Sequence, residues 1–563
     1  MKYFVVLMPT VISLFLLVGC QLFFFPGEYE DLLSGARNSN KNTGSSLNTT
    51  SAVYVSPSGS DANSGFSKNT PVRSIQKAIQ IAVQNNISHI YLSVGTYTPG
   101  NGLNATSEYS GVVLTNNNIS IIGGWDSNFS SIVGYSELNG NNILRHVMYV
   151  ENVSGIVLRN LMLRGGNAND SMQTNHMIGG GIYLSNVSYS SLSNLLILSN
   201  NSLLGGGFYM LDSDYNSIID IEVFQNNATF SGGGGVISLS RNNFVKLKSH
   251  DNEASYGGGL YIYMSSNNLL QFDVSYNYAS NSGGGLYIDQ CYSNIIDCNI
   301  FTNTSQEGAG IYMFQSVSNI IGGNVYSNNS SSSGGGIMIN SCVGDKITSD
   351  VFDNFSQNKG GGIYVLSSAN TLIGGNVYKN ISSNDAGGVK ILSSSMVEVS
   401  GNVYANTANS NGGGIYLSSS SNVKVVGNVY NNTSQINGSG IYIDNSHSVS
   451  IINSRITNNR NMATSASIIH LYNGGSLNNF FISNCVISGA YGGALSGQIG
   501  IYEDGSTDVT GHTIANNTFI TNDLPYLYRN YQDLLISRDS WWNITNHTQT
   551  GASVASGNNV GSY

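Results

Sequence analysis

The sequence predicts an all-β fold, a parallel β-helix with about 26 residues and three short strands per coil. Three observations carry this. A glycine run ending in an apolar residue recurs, with that residue at Ile182, Phe208, Val236, Leu260, Leu286, Ile311, Ile337, Ile363, Val389, Ile415 and Ile441. The steps are 26, 28, 24, 26 and 25, then five of 26. An asparagine column keeps the same period: Asn200, Asn226, Asn252, Asn277, Asn303, Asn328, Asn354, Asn380, Asn406, Asn432 and Asn458. Within each period the apolar pattern alternates. Ile415 and Leu417 face one way and Tyr416 the other, Val423 and Val425 flank Lys424, and Val429 sits between Asn428 and Tyr430.

The coils cannot bury their apolar faces singly, so stacking must share one core. Each strand then pairs with its counterpart about 4.8 Å along the axis. Asparagine at a fixed corner suits an amide ladder, and glycine permits close backbone approach. Proline is absent from 100 to 524, as expected where every strand donates to its neighbours.

Ahead of the repeats, Lys2 and the mostly apolar stretch from Tyr3 to Val18 read as an export signal over 1–19. It closes on Leu17-Val18-Gly19-Cys20, which resembles the lipobox of bacterial lipoproteins. That resemblance implies lipidation of Cys20 and a membrane anchor at the cell envelope, on the outer membrane or cell surface. Residues 20–52 read as a tether, Ser/Asn-rich over 34–52. Residues 53–145 are expected to hold an N-terminal cap and the first coils. There Ile75, Ala78, Ile79, Ala82 and Val83 share one helical face behind Ser74 as N-cap, and the helix covers the open first coil. The repeats are expected over 146–523 and a C-terminal cap, with Trp541 and Trp542, over 524–563.

The chain has 563 residues, only 9% of them charged, and a formal net charge of −10 without a basic block, which argues against nucleic acid as a partner. Cys291, Cys298, Cys342 and Cys485 are too scattered for a disulfide framework. No zinc, calcium-nonapeptide or nucleophile-elbow motif is present, so no metal or other cofactor is expected.

The 53–98 stretch followed by Gly-rich coils resembles the pectate-lyase-like parallel β-helix superfamily, which implies a right-handed winding. The Gly-Gly-x-Ile phrases and phrases such as Val403 to Asn406 are also similar to repeats of chlamydial polymorphic outer membrane proteins. Those usually have Ala where Gly414 stands, and they end in a membrane barrel that the last 40 or so residues cannot supply. The fold hosts lyases, hydrolases, adhesins and structural proteins alike.

A lyase of that superfamily would need a Lys or Arg base beside carboxylates. At an offset of 26 residues, however, Lys246 lands on Asp220, Lys248 on Glu222, Lys359 on Asp385, Lys379 on Asp353 and Lys424 on Glu398. Five of the seven repeat-region lysines are therefore expected in cross-coil ion pairs, so no catalytic residue is assigned. Lys390 falls in a tyrosine column between Tyr364 and Tyr416, where cation–π contact is expected. Lys346 has no such partner, and the cluster of Lys346, Asp345, Asp350 and Asp353 is left open as a site.

The outward position after each apolar residue reads Tyr183, Tyr209, Ile237, Tyr261, Tyr287, Tyr312, Met338, Tyr364, Lys390, Tyr416 and Tyr442. A second outward aromatic column holds Phe224, Phe301, Tyr326, Phe352, Tyr378, Tyr404 and Tyr430. The tyrosine ladder is the expected binding face for a polysaccharide, a host protein or an envelope protein, in a non-enzymatic, adhesin-like surface protein. The alternatives are a secreted polysaccharide lyase or hydrolase acting on a uronate-containing polymer, and a purely structural spacer.

Overall fold

The computed structural model describes residues 52–104, 110–169, 177–462, 467–473 and 479–489, and the segments 499–505, 512–515, 517–520, 527–530, 542–545 and 548–550. Cys20, the tether up to residue 51 and Trp541 lie outside the described residues.

From Ala52 onward the chain winds as a parallel solenoid. Leu286–Asp289 pairs in register with Leu260–Tyr263 on one side and Ile311–Phe314 on the other. Among the described residues sixteen such strands form one face. Ile295–Phe301 and Thr304–Glu307 represent the other two strands of a coil. The side chains at alternate positions, such as Ile288, Val274 and Ile300, form one continuous buried core. From Lys346 onward the second strand divides, first into Lys346–Ile347 and Asp350–Phe352. The backbones crowd at that bend: a Cβ on Gly401 would overlap the Gly375 carbonyl oxygen.

The glycine triplets have a division of labour. Gly283 turns the corner at φ +67, in the left-handed region. Gly284 and Gly285 then run so close to the next coil that a Cβ would meet Ala309 O at 2.6 Å and Gly310 O at 2.7 Å. A Cβ on Gly285 would also press on Asn303 Nδ2 at 2.9 Å. The corner thus admits the asparagine ladder only because the facing residue has no side chain.

That ladder is continuous. Asn303 Nδ2 donates to Asn328 Oδ1 at 3.1 Å and to Val274 O at 3.0 Å, while its own Oδ1 accepts from Asn277. It runs on to Asn459, not Asn458: Asn432 Nδ2 donates to Asn459 Oδ1, and Asn458 takes the left-handed corner at φ 55. A second buried ladder, which the periodicity argument missed, runs through Asn216, Asn243, Asn268, Asn294, Asn319 and Asp345.

One register also differs from the sequence reading. Phe208 pairs with Gly235, and Gly235 with Leu260. Val236 therefore stands in the tyrosine column, and Ile237 points into the core. The cause is a longer coil: an extra residue enters between Ala228 and Ser231, where the pairing steps from Ser202–Ala228 to Leu204–Ser231, and the register recovers at the shift between Ile218 and Ile221.

At the N-terminal end, α1 (Ile75–Gln84) buries Ile75, Ala78, Ile79, Ile81 and Ala82, and Ser74 accepts a hydrogen bond from the Lys77 N–H. Val83, expected on that face, is exposed; Ile81 takes its place.

Candidate functional site

The cross-coil register proposed for the lysines holds for all but Lys246, and most of the ion pairs do not close. Lys424 Nζ reaches Glu398 Oε2 at 3.2 Å. Lys248 stands opposite Glu222, yet Glu222 binds His250 instead, Oε1 to Nε2 at 3.1 Å. Lys359 is aligned with Asp385, whose carboxylate turns to Lys390. Lys379 and Asp353 both sit at left-handed corners, exposed. The bulge at Asp220 takes that residue out of line with Lys246.

Lys246, Lys248, Asp220 and Glu222 gather at one place. The outward column of the second strand reads Met162, Leu196, Glu222, Lys248, Asp273, Asn299 and Asn324. The neighbouring column reads Lys246, Gln271, Asp297 and Gly322. Charged groups thus centre on Lys248 and give way to leucine and methionine on one side and to asparagine and glycine on the other. They line a groove of about 500 Å³, which also holds Asp220, Tyr135, Asn194 and Asn299. Tyr135 closes one wall by donating its hydroxyl to Asn194 Oδ1 at 2.7 Å. Burial, then the charge of Glu222, pushes that hydroxyl above its ordinary value. His250 steadies Glu222 from the side: its ring stacks on Phe224 at 5.1 Å, and its Nδ1 lies 2.7 Å from Asp251 Oδ2.

The groove escaped the sequence reading because that reading paired each lysine with a single acid at an offset of 26. The next coil is 25 residues long here, so Lys248 meets Asp273 and Lys246 meets Gln271. A register that allowed for that step would have shown acids on both sides of Lys248.

The right handed beta helix region family matches residues 258–402 and 330–480, inside the stretch where the ladders are most regular. This chain is a right-handed parallel β-helix protein. Solved structures similar to it include the A-module of mannuronan C-5 epimerase AlgE6 from Azotobacter vinelandii, 12% identical with a TM-score of 0.25, covering 85% of this chain and 94% of that one. The Agl-KA catalytic domain is 15% identical with a TM-score of 0.24, covering 84% of this chain and 64% of that one. PfbA, a surface adhesin of Streptococcus pneumoniae, is 10% identical with a TM-score of 0.20, covering 81% of this chain and 87% of that one. No curated protein matches by sequence.

On this β-helix protein the tyrosine column is not an exposed surface. Tyr183, Tyr287, Tyr312, Tyr364 and Tyr442 are buried, and Tyr209, Tyr261 and Tyr416 are half-buried. Pointing away from the core does not expose them. Rings on consecutive coils cover one another, as Tyr287 and Tyr312 do at 4.9 Å between centroids, and Tyr256, Phe314, Leu366 and Leu392 pack along the flanks. Burial pushes the Tyr364 hydroxyl up to about 12. The second aromatic column is the flatter one: from Phe301 to Tyr430 consecutive rings stack at 4.8–5.0 Å with planes within 8°. Its faces are occupied by its own members, leaving only edges to solvent.

Lys390 does contact Tyr416, its Nζ 4.0 Å from the ring centroid, and it is 4% exposed. The Lys346 cluster is divided by strand alternation: Asp345 is buried in the second amide ladder while Lys346 and Asp353 are exposed. Cys291 and Cys342 occupy a column of small buried residues with Ser316 between them, and burial pushes both thiols up to about 12.

Proposed function

We propose that this protein is an exported, lipid-anchored surface protein that holds a glycan in the groove around Lys248. The observation that carries the reading is the break in the outward columns. Around Lys248 these two columns alternate carboxylates, amines and amides beside a concavity, which is how hydroxyl-rich ligands are oriented. Four acids against two lysines leave the groove acidic, so a neutral glycan suits it better than a polyuronate. The anchor at Cys20 and an envelope location rest on the lipobox-like sequence.

Glycan-array binding by the purified protein tests the reading. Binding is expected for the wild type and for Tyr364→Ser, and at least a tenfold loss for Lys248→Ala and Asp273→Ala, about 1.4 kcal/mol. Equal binding by the groove variants would sink it.

A second reading, cleavage of the bound glycan, is favoured by one observation. Asp273 and Asp297 are diagonal neighbours on adjacent coils, which puts two carboxylates on one wall of the groove, the pair of groups that glycoside hydrolysis uses. Release of reducing ends, lost in both Asp273→Asn and Asp297→Asn, would establish it.

A further inference from the structure

Lys390 is the one lysine in a column of stacked aromatic rings, and its surroundings differ from those of a surface ion pair. Its Nζ lies 3.1 Å from Asp385 Oδ2 and 4.0 Å above the Tyr416 ring. Tyr364 packs on the coil before it and Tyr416 on the coil after. A third group faces the pair from the strand Ile441–Asp444: the Asp444 carboxyl, held by Ser418 Oγ at 3.0 Å and Asn445 Nδ2 at 2.7 Å, lies near enough for its charge to act on both Lys390 and Asp385. Lys359, aligned with Asp385, adds its charge to the same surroundings. The arrangement is an amine beside one carboxyl, with a second carboxyl at hand and water largely excluded.

We infer that Lys390 and Asp385 condense to an intramolecular amide, a covalent clasp across the Asp385–Lys390 corner. The proton of the ammonium passes to a carboxylate, leaving a neutral amine and a carboxylic acid. Nζ adds to the Asp385 Cγ, forming the C–N bond. The nitrogen gives up a proton and the departing oxygen gains one. The Cγ–O bond breaks and one water leaves. An ammonium and a carboxylate become an amide and water, so charge and atoms balance and no other reactant is needed. Two physical effects favour the step. Burial holds the Lys390 amine below its ordinary value, against the pull of Asp385. The fixed contact replaces a bimolecular encounter. The clasp closes a corner whose residues Gly387 and Gly388 supply no side-chain packing of their own.

Peptide mass analysis of the full chain decides it. Trypsin can cut after Lys379, Lys390 and Lys424. The clasp predicts a 380–424 peptide, uncut at 390 and lighter than its sequence by one water. Asp385→Ala is expected to restore cleavage after Lys390. Lys390→Arg distinguishes a cyclised Asp385 backbone, which also loses water: loss of water that persists in Lys390→Arg overturns the proposal. So does complete cleavage after Lys390 into two peptides of full mass.

Discussion

The Phe208 ring occupies the space that a side chain on Gly235, its partner one coil on, would need. A Cβ built on Gly235 would overlap three atoms of that ring. The pair is a volume exchange between neighbouring coils, where most other coils put one aliphatic side chain each. It sits beside a small apolar void lined by Leu195, Ile221 and Leu247, next to the irregular register at Asp220.

Gly235→Ala is therefore expected to destabilise by about 1–3 kcal/mol through overpacking. Phe208→Leu opens a cavity and is expected to cost a similar amount. The double variant is expected to be more stable than the sum of the two, because each change relieves the other. Chemical unfolding of the four proteins reads this directly, and strict additivity would show that the ring does not fill the Gly235 position.

The amide ladder makes a sharper demand. Asn277 donates both its backbone N–H and its Nδ2 to Asn303 Oδ1. Asn303→Ala leaves both donors buried without that acceptor, at about 1–3 kcal/mol for each group left unsatisfied. Asn303→Asp keeps the acceptor but turns a donor toward the carbonyls of Val274 and Phe301 into a second acceptor. Both variants are expected to unfold at lower denaturant, and the Asn303→Asp protein to fall further behind as pH rises. A neutral effect of Asn303→Ala would mean the ladder is ornamental.

How much of this was legible follows from what the period encodes. Columns separated by a constant step could be read directly, which is why Asn200 through Asn432 and the inward Ile and Leu positions emerge from the sequence alone. Departures from the step could not. The extra residue between Ala228 and Ser231 moved Val236 and Ile237 by one position, and the 25-residue step from Lys248 to Asp273 hid the groove. The tyrosines show a different limit. Alternation reveals which way a side chain points from the sheet, but whether Tyr256 and Leu392 then wall it in depends on corners that the period does not describe.

Lys424 and Glu398 provide the weak end of the scale. The contact is 3.2 Å, yet the two side chains are 41% and 39% exposed. Lys424→Ala is expected to cost less than about 1 kcal/mol, and the difference from wild type should vanish in about 1 M salt, where the Debye length shrinks to about 3 Å. A larger, salt-insensitive loss would show instead that the lysine stem packs on the coil.

Asp345 carries the pH dependence. It ends the second amide ladder, its Oδ1 accepting from the Asn319 N–H at 2.7 Å and from Asn319 Nδ2 at 3.1 Å. Burial raises the carboxyl to about 6. The folded state thus holds a proton that the unfolded chain, near 4, has already released. Between those two values the folded protein binds more protons, so stability falls as pH rises from about 4 to about 6 and stays lower above. The penalty at neutral pH is roughly 3 kcal/mol, from about two units at about 1.4 kcal/mol each. Neither Asp345 Oδ2 nor Thr371 Oγ1, on the residue one coil on, has a hydrogen-bond partner. Asp345→Asn keeps the acceptor for Asn319, supplies an amide N–H on the side of Thr371, and removes the titration. It is expected to raise the unfolding midpoint at pH 7 and to leave it nearly unchanged at pH 4. Midpoints measured for both proteins across that range check the sign, and a wild-type curve that climbs between pH 4 and 6 with Asp345→Asn climbing in parallel would assign the dependence to other groups.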